Sequence, residues 1–196
     1  MKYTENKFKK DEIRDFELFK LFQERLGSKD IYFPTAYGTP YDLQVVKNRT
    51  NKIEIVEVKC RNNDSTKYED CFIELTKWSN LMKLWREKYY LPLYINFFGN
   101  CDNTDGCADD VWVWVLPEVK NPNIYLGVKI YGEEQDRFGL RFENGYHYKW
   151  NGSSYDVTPP SIKNKYDTRK MAIFDGDMDL LLETRELNIK KLYNVG

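Results

Sequence analysis

Two apolar, mostly β-branched runs flank a polar turn between Pro40 and Arg61, and this hairpin signature constrains the fold more than any other stretch. Leu43, Val45 and Val46 form the first run, and Ile53, Ile55, Val56 and Val58 the second. Residues 47–52 between them (K-N-R-T-N-K) are polar and Asn-rich, which is turn chemistry. An antiparallel hairpin centred on Arg49 and Thr50 sets Val46 opposite Ile53 and Asp42 opposite Glu57. Directly opposed side chains have Cβ atoms roughly 5 Å apart, and two carboxylates at that distance repel by roughly 3 kcal/mol at an effective dielectric of about 20. A divalent cation held between them turns that repulsion into a binding site.

Glu57 and Lys59 are two apart on a strand and project from one face, while Val58 points into apolar packing. The site therefore gathers Asp42, Glu57, the Val58 carbonyl and the Lys59 ammonium. Hard oxygen ligands suit Mg2+, with Mn2+ able to substitute. A water activated by such an ion, which Lys59 orients and helps deprotonate, is a nucleophile for in-line attack on phosphorus. The plain alternative is a solvated strand face with a cross-strand ion pair.

At these residues the chain resembles the PD-(D/E)XK nuclease superfamily. Asp42 matches the first acid, Glu57-Val58-Lys59 matches the E-x-K, and the Cys60-Arg61 continuation is similar to the V-E-V-K-x-R string of small bacterial members. Tyr41 stands where the family has its proline, with Pro40 one position earlier. The Glu17 to Gly27 stretch resembles the family's first helix, whose Glu often reaches the metal site. The resemblance covers about residues 8 to 116. It implies a restriction-endonuclease-like αβββαβ core with a mixed β-sheet flanked by helices. It also implies DNA phosphodiester hydrolysis with Asp42, Glu57, Lys59 and Glu17 as catalytic residues and Asp42, Glu57 and Val58 at the metal.

The chain of 196 residues suits one well-filled domain, with a β-rich extension and a final helix over about 117–196. Its 30 basic and 31 acidic residues leave a net charge of −1, so nucleic-acid binding has to rest on local patches. No signal-peptide pattern or long apolar run is present, so a soluble, cytoplasmic protein without membrane contact is expected. Cys60, Cys71, Cys101 and Cys107 lack C-x-x-C spacing and read as reduced thiols. His147 is the single histidine, which leaves zinc too few ligands and makes a Ser-His-Asp triad or a His-metal nuclease a poor expectation.

Along the chain, Phe8, Ile13, Phe16, Phe19, Phe22 and Leu26 predict a first helix over residues 8–26, ended by Gly27. Glu17 lies near Ile13 and Leu21 on that helix. A short strand at Ile31–Phe33 and a loop delivering Asp42 follow. Residues 62–70 read as a polar, mobile loop, in which Lys67, with Arg61 beside it, can contact phosphates. Leu75, Trp78, Leu81, Met82, Trp85 and Tyr89 mark a second amphipathic helix, with Lys77 beside its stripe. L-P-L-Y-I-N-F-F (91–98) and V-W-V-W-V-L (111–116) read as central strands. Further strands are expected at 124–131 and 138–143, the latter joined to 146–150 by an Asn144-Gly145 turn. Tyr146, Tyr148 and Trp150 share one face, which reads as core in preference to a base-stacking surface. Asp175 to Glu186 has calcium-loop spacing, but Leu180 replaces the required glycine, so a helix cap is the better account.

The sequence thus predicts a Mg2+-dependent DNA endonuclease acting on branched or single-stranded DNA among other forms, with a homodimer possible. The alternatives are a non-catalytic nucleic-acid-binding module on the same fold, or an aromatic-rich β module for protein or glycan with a fortuitous E-x-K. Lys163, Lys165, Arg169 and Lys170 form the densest basic cluster. Neutralising all four should flatten the salt dependence of DNA binding by about 0.9 in slope per lost phosphate contact; an unchanged slope in a fluorescence-anisotropy titration would return the loop to ordinary surface.

Overall fold

The computed structural model describes residues 5–36, 38–100, 104–120, 122–130 and 133–161. A helix, α1 (Glu5–Arg25), opens it. Strands β1 (Ile31–Pro34), β2 (Leu43–Val46) and β3 (Ile53–Arg61) follow. Next come β4 (Asp70–Glu74), α2 (Leu75–Lys88), β5 (Leu91–Phe98), the short α3 (Thr104–Cys107) and β6 (Asp110–Val115). Four strands complete it: β7 (Asn123–Ile130), β8 (Glu133–Arg141), β9 (Tyr146–Trp150) and β10 (Tyr155–Thr158).

Seven strands form one mixed sheet in the order β1-β2-β3-β5-β6-β9-β10, and β4-β8-β7 form a second. The β2–β3 hairpin has the expected register, with Val46 opposite Ile53. β3 and β5 run parallel while their outer neighbours are antiparallel. A parallel pair needs a crossover, and β4 with α2 supplies it.

Strand alternation sorts the core into two layers. Leu43, Val45, Val56 and Val58 pack with Leu18, Phe19 and Phe22 of α1. Ile55, Tyr94 and Trp114 pack with Trp78, Leu81 and Met82 of α2, and with Cys71, Ile73, Phe138 and Leu140 of the second sheet. Each such buried side chain contributes roughly 1.5–3 kcal/mol. So α1 covers one face of the large sheet, and α2 with the small sheet covers the other. The expected α/β class with a mixed sheet between helices is what the chain adopts.

Several expectations need correction. The apolar stripe of α1 is narrower than the spacing predicts, since Ile13 is 62% exposed and Leu26 41%. A strand, β4, precedes α2, because Cys71-Phe72-Ile73 pairs with β8 to start the second sheet. Asn144-Gly145 is no hairpin turn. β8 and β9 belong to different sheets, and a single 3-10 turn over Phe142–Asn144 passes the chain between them. The loop after β3 is anchored: Asp64 caps a 3-10 turn (Ser65–Lys67), and Ser65 Oγ donates to Asp110 Oδ2 at 2.7 Å. Cys60 and Cys71 are free thiols, but Cys107 is disulfide-bonded. Spacing patterns do not govern disulfides; the approach of the two Cα atoms does.

The face of Tyr146, Tyr148 and Trp150 is packed, as the sequence favours. Tyr148 meets Phe22 edge to face at 5.2 Å, and the Arg25 guanidinium lies 4.6 Å over Trp150. Among the described residues no helix is long and apolar enough to cross a membrane. Lys163, Lys165, Arg169, Lys170 and the Asp175–Glu186 stretch lie outside the described residues.

Gly139 of β8 is required by a close approach. A Cβ there would stand 2.2 Å from Asp70 Oδ2 and 2.6 Å from the Tyr125 ring. Asp70 Oδ2 is buried and accepts from Asn123 Nδ2 (2.9 Å) and Tyr125 OH (2.8 Å). Gly139→Ala should therefore destabilise by about 2–3 kcal/mol, through overpacking and a broken buried network. Urea melts check this, and parental stability in the variant would mean that the network is not formed.

Candidate functional site

The hairpin ladder ends at Leu43–Val56. One residue earlier the Asp42 N–H still donates to the Val56 carbonyl at 2.9 Å, while the Asp42 carbonyl turns away to accept the Thr35 N–H at 2.9 Å. The Asp42 carboxylate fills the place left open, its Oδ2 accepting the Val58 N–H at 2.7 Å. Asp42 is therefore not the ladder partner of Glu57, as a continued register predicts. Its side chain docks beside Glu57 instead, at the point where β2 leaves β3.

Glu57 is fully buried on the α2 side of the sheet. Lys77 Nζ, from the first turn of α2, donates to its Oε2 at 2.8 Å. Lys59 Nζ lies 2.7 Å from Oε1, an ion pair by distance. The approach is outside hydrogen-bonding geometry, so Oε1 has a charge partner but no hydrogen-bond donor. Although 43% of the Lys59 side chain is accessible, its ammonium lies against a fully buried carboxylate.

These contacts set the charges. Burial first, then the Glu57 charge, push the Asp42 carboxyl up to about 7, against the lowering effects of Lys59, the Val58 N–H and Lys77. For Lys59, burial works downward, but Glu57, Tyr94 and Asp42 outweigh it and raise the ammonium above the ordinary lysine range. Lys59 is therefore a cation at neutral pH. In that state it can donate to and orient an oxygen.

Among the described residues no group of three or more His, Cys, Asp or Glu side chains converges on one point. The donors at hand are two carboxylates and a backbone oxygen, which suits a cation that keeps several waters. A cation would relieve one strain of the cluster, the Asp42 carboxyl held against its own ionisation. A divalent ion held here would have Asp42, Glu57 and the Val58 carbonyl as its protein oxygens.

Glu17 is not brought to this cluster. It is half exposed and 3.9 Å from Lys20 on its own helix. Asp15 is the acid of α1 that turns inward: it is 18% exposed and accepts from Cys60 Sγ at 2.8 Å and from Arg14 Nη2 at 3.1 Å. Burial raises its carboxyl against Cys60 and Arg14, with a smaller lowering contribution from the Lys59 charge. The signal was available, since Asp15 shares the stripe of Leu18, Phe19 and Phe22. Arg61 is half-buried, its guanidinium donating to Asn96 Oδ1, the Phe72 carbonyl and Tyr94 OH. Lys67 is exposed, 5.4 Å over the Tyr68 ring.

A second polar cluster joins His147 Nε2 to Asp110 Oδ1 at 2.9 Å and Ser65 Oγ to Asp110 Oδ2. The aspartate stands between serine and histidine, so the serine has no base on it, and this is an anchor for the loop after β3 and not a triad. No family model matches the chain, and no curated protein is significantly similar to it.

The raised Asp42 carboxyl has a measurable consequence. The unfolded chain ionises this group near pH 4, and the folded protein only near 7. Between those values the folded state holds more protons, so stability from this group falls as pH rises and the cost is complete above 7. Asp42→Asn keeps an acceptor for the Val58 N–H and should stabilise by on the order of 2 kcal/mol at pH 8, the gain shrinking toward pH 4. Chemical denaturation at both pH values checks this; a gain that does not depend on pH would show that Asp42 is not held against its charge.

Proposed function

We propose that the chain is a metal-dependent endonuclease that hydrolyses DNA phosphodiester bonds on a restriction-endonuclease-like fold. The observation that carries this reading is the cluster itself: Asp42 just ahead of β2 and Glu57 on β3, coupled to each other and to Lys59 and Lys77 at the point where the strands part. The order α1, β1, β2, β3, α2, β5, with β3 parallel to β5, supports the fold assignment. On that assignment β4, β7 and β8 form an insertion and β9 and β10 an edge extension.

Asp42, Glu57 and the Val58 carbonyl would hold Mg2+, or Mn2+ in its place, and the bound ion supplies Lewis-acid charge for attack on phosphorus. The chain's own residues do the rest. Asp42 and Glu57 fix the position of the reaction by their strand geometry. Lys59, kept cationic, donates to the attacking water or to a phosphoryl oxygen and orients it. Lys77 holds Glu57 from the helix side.

One observation favours a second reading, a nucleic-acid-binding module without catalysis. Both oxygens of Glu57 already have ammonium partners, so the cluster is charge-compensated without a cation. A manganese titration separates the two, since the module predicts neither binding nor cleavage.

Glu57→Gln keeps the shape and removes the charge, so DNA cleavage should collapse while the melting curve stays cooperative. Lys59→Ala should bind Mn2+ at least as tightly, because a neighbouring positive charge is gone, yet turn over about 10²- to 10⁴-fold more slowly. Both variants are checked by Mn2+ titration and by cutting of labelled single-stranded, duplex, nicked and branched DNA. Parental cutting rates in Lys59→Ala would leave Lys59 as an ion-pair partner only and refute this mechanism.

A further inference from the structure

Arg61 is a largely buried cation whose hydrogen-bond partners are all neutral. Its Nε donates to Asn96 Oδ1 at 3.0 Å, and its Nη2 to the Phe72 carbonyl and to Tyr94 OH, each at 3.2 Å. A buried charge without a counter-ion is costly, and a purely structural link between these strands could be made by neutral groups. The three partners lie on two elements. Asn96 and Tyr94 belong to β5 of the large sheet, and Phe72 to β4 of the small one. Tyr94 OH also donates to the Phe72 carbonyl at 2.7 Å, which closes the link.

Position gives this link its effect. Arg61 ends the strand that carries Glu57 and Lys59. β4 runs straight into α2, whose first turn carries Lys77. Tyr94 is the β5 partner of Glu57 in the parallel ladder, and its phenol senses the charges of Arg61, Lys59 and Glu57. Lys59 therefore reaches Glu57 from the large sheet and Lys77 from the helix into which β4 of the small sheet leads, and the guanidinium fork ties the two sheets together beside them. Among the described residues the Asn96 side chain has Arg61 as its partner: Oδ1 accepts from the guanidinium, and the buried Nδ2 has no hydrogen-bond partner.

We propose that Arg61 is a positioning residue: it clamps β3 and β5 to β4, and so holds Lys59 and Lys77 together on the two oxygens of Glu57. The proposal gives Arg61 a role inside the site of the proposed nuclease and rests on that reading only for its effect on turnover. Lysine cannot replace it, because a point charge cannot hold acceptors on two sheets as a planar fork does.

The test uses the side-chain ammonium signals of 15N-labelled protein, which ion pairing protects from exchange. Lys59→Met and Lys77→Met assign the two signals. In Arg61→Gln the Lys77 signal should be lost while the circular dichroism spectrum and a cooperative melt persist, and Arg61→Lys should behave alike. In cleavage assays the same variants should lower kcat with KM unchanged. The salt slope of DNA binding in EDTA should equal that of the parent, because the buried guanidinium touches no phosphate. Folded variants that keep both ammonium signals would overturn the clamp, and so would a reduced salt slope, which would make Arg61 a phosphate contact. Failure of both variants to fold would equally overturn it, by making the guanidinium a determinant of the fold and not of the site. If the parent cuts no DNA the nuclease reading fails, and the ammonium signals still decide the clamp.

Discussion

Everything near the centre of this molecule is arranged around a carboxylate with no access to water. An ionised acid in that position costs several kcal/mol unless it is paired. Glu57 finds its pairs on separate elements, Lys59 on its own strand and Lys77 on α2. Apolar packing alone leaves a helix free to slide on a sheet by small amounts, since many side-chain arrangements bury similar area. An ion pair of 2.8 Å does not allow that freedom. α2 is held where Lys77 reaches Glu57, and β4 must lie where it can feed α2. The Glu57–Lys77 pair thus adds to the apolar layer and to the Arg61 and Tyr94 links that place the small sheet.

Such a cluster is a poor device for stability. Apolar residues of similar volume in place of a buried ion pair are often neutral or stabilising, whereas removal of one partner is strongly destabilising. Here the arrangement is less favourable still, because Asp42 adds a second acid whose carboxyl is pushed up to about 7 by burial and by Glu57. Neither acid strengthens the fold in the way the surrounding Val56, Val58, Ile55 and Tyr94 do. The proposed chemical task would account for the pair where packing does not.

The sequence was legible where a local rule determines the outcome. Period-two alternation and an Asn-rich turn were enough to place Val46 opposite Ile53, and to set Glu57 and Lys59 on one face. Two long apolar runs were enough to place β5 and β6 in the middle of the sheet. What local rules do not contain was missed. Nothing in the letters around Asp42 shows that its backbone leaves the ladder and its side chain takes over the Val58 N–H. Glu17 follows from the resemblance and from placing Ile13 in the apolar stripe, whereas the face that meets the sheet runs through Leu18, Phe19 and Phe22 and carries Asp15. Arg61 reads as a surface cation because charge in a sequence carries no information about burial. Asn144-Gly145 has the composition of a hairpin turn, but the partner of each flanking strand lies in a different sheet. Gly145 is instead set against two indoles, where a Cβ would lie 3.0 Å from Trp114 and 3.1 Å from Trp112.

The two lysines also decide what state the cluster rests in. With both ammoniums in place Glu57 is compensated, and Asp42 is left as the group that adjusts, gaining or losing its proton near neutrality. A divalent cation of the kind proposed would have to compete with that proton and with two positive charges already present. On the proposed reading it would bind more weakly than between bare carboxylates, and its binding would release a proton at any pH below the Asp42 midpoint. The same lysines make the acid pair tolerable in the fold when no cation is there. Stability without the ion and affinity for it are opposed through one pair of side chains, and Lys59, which faces both the acids and solvent, is where that opposition can be turned toward a substrate.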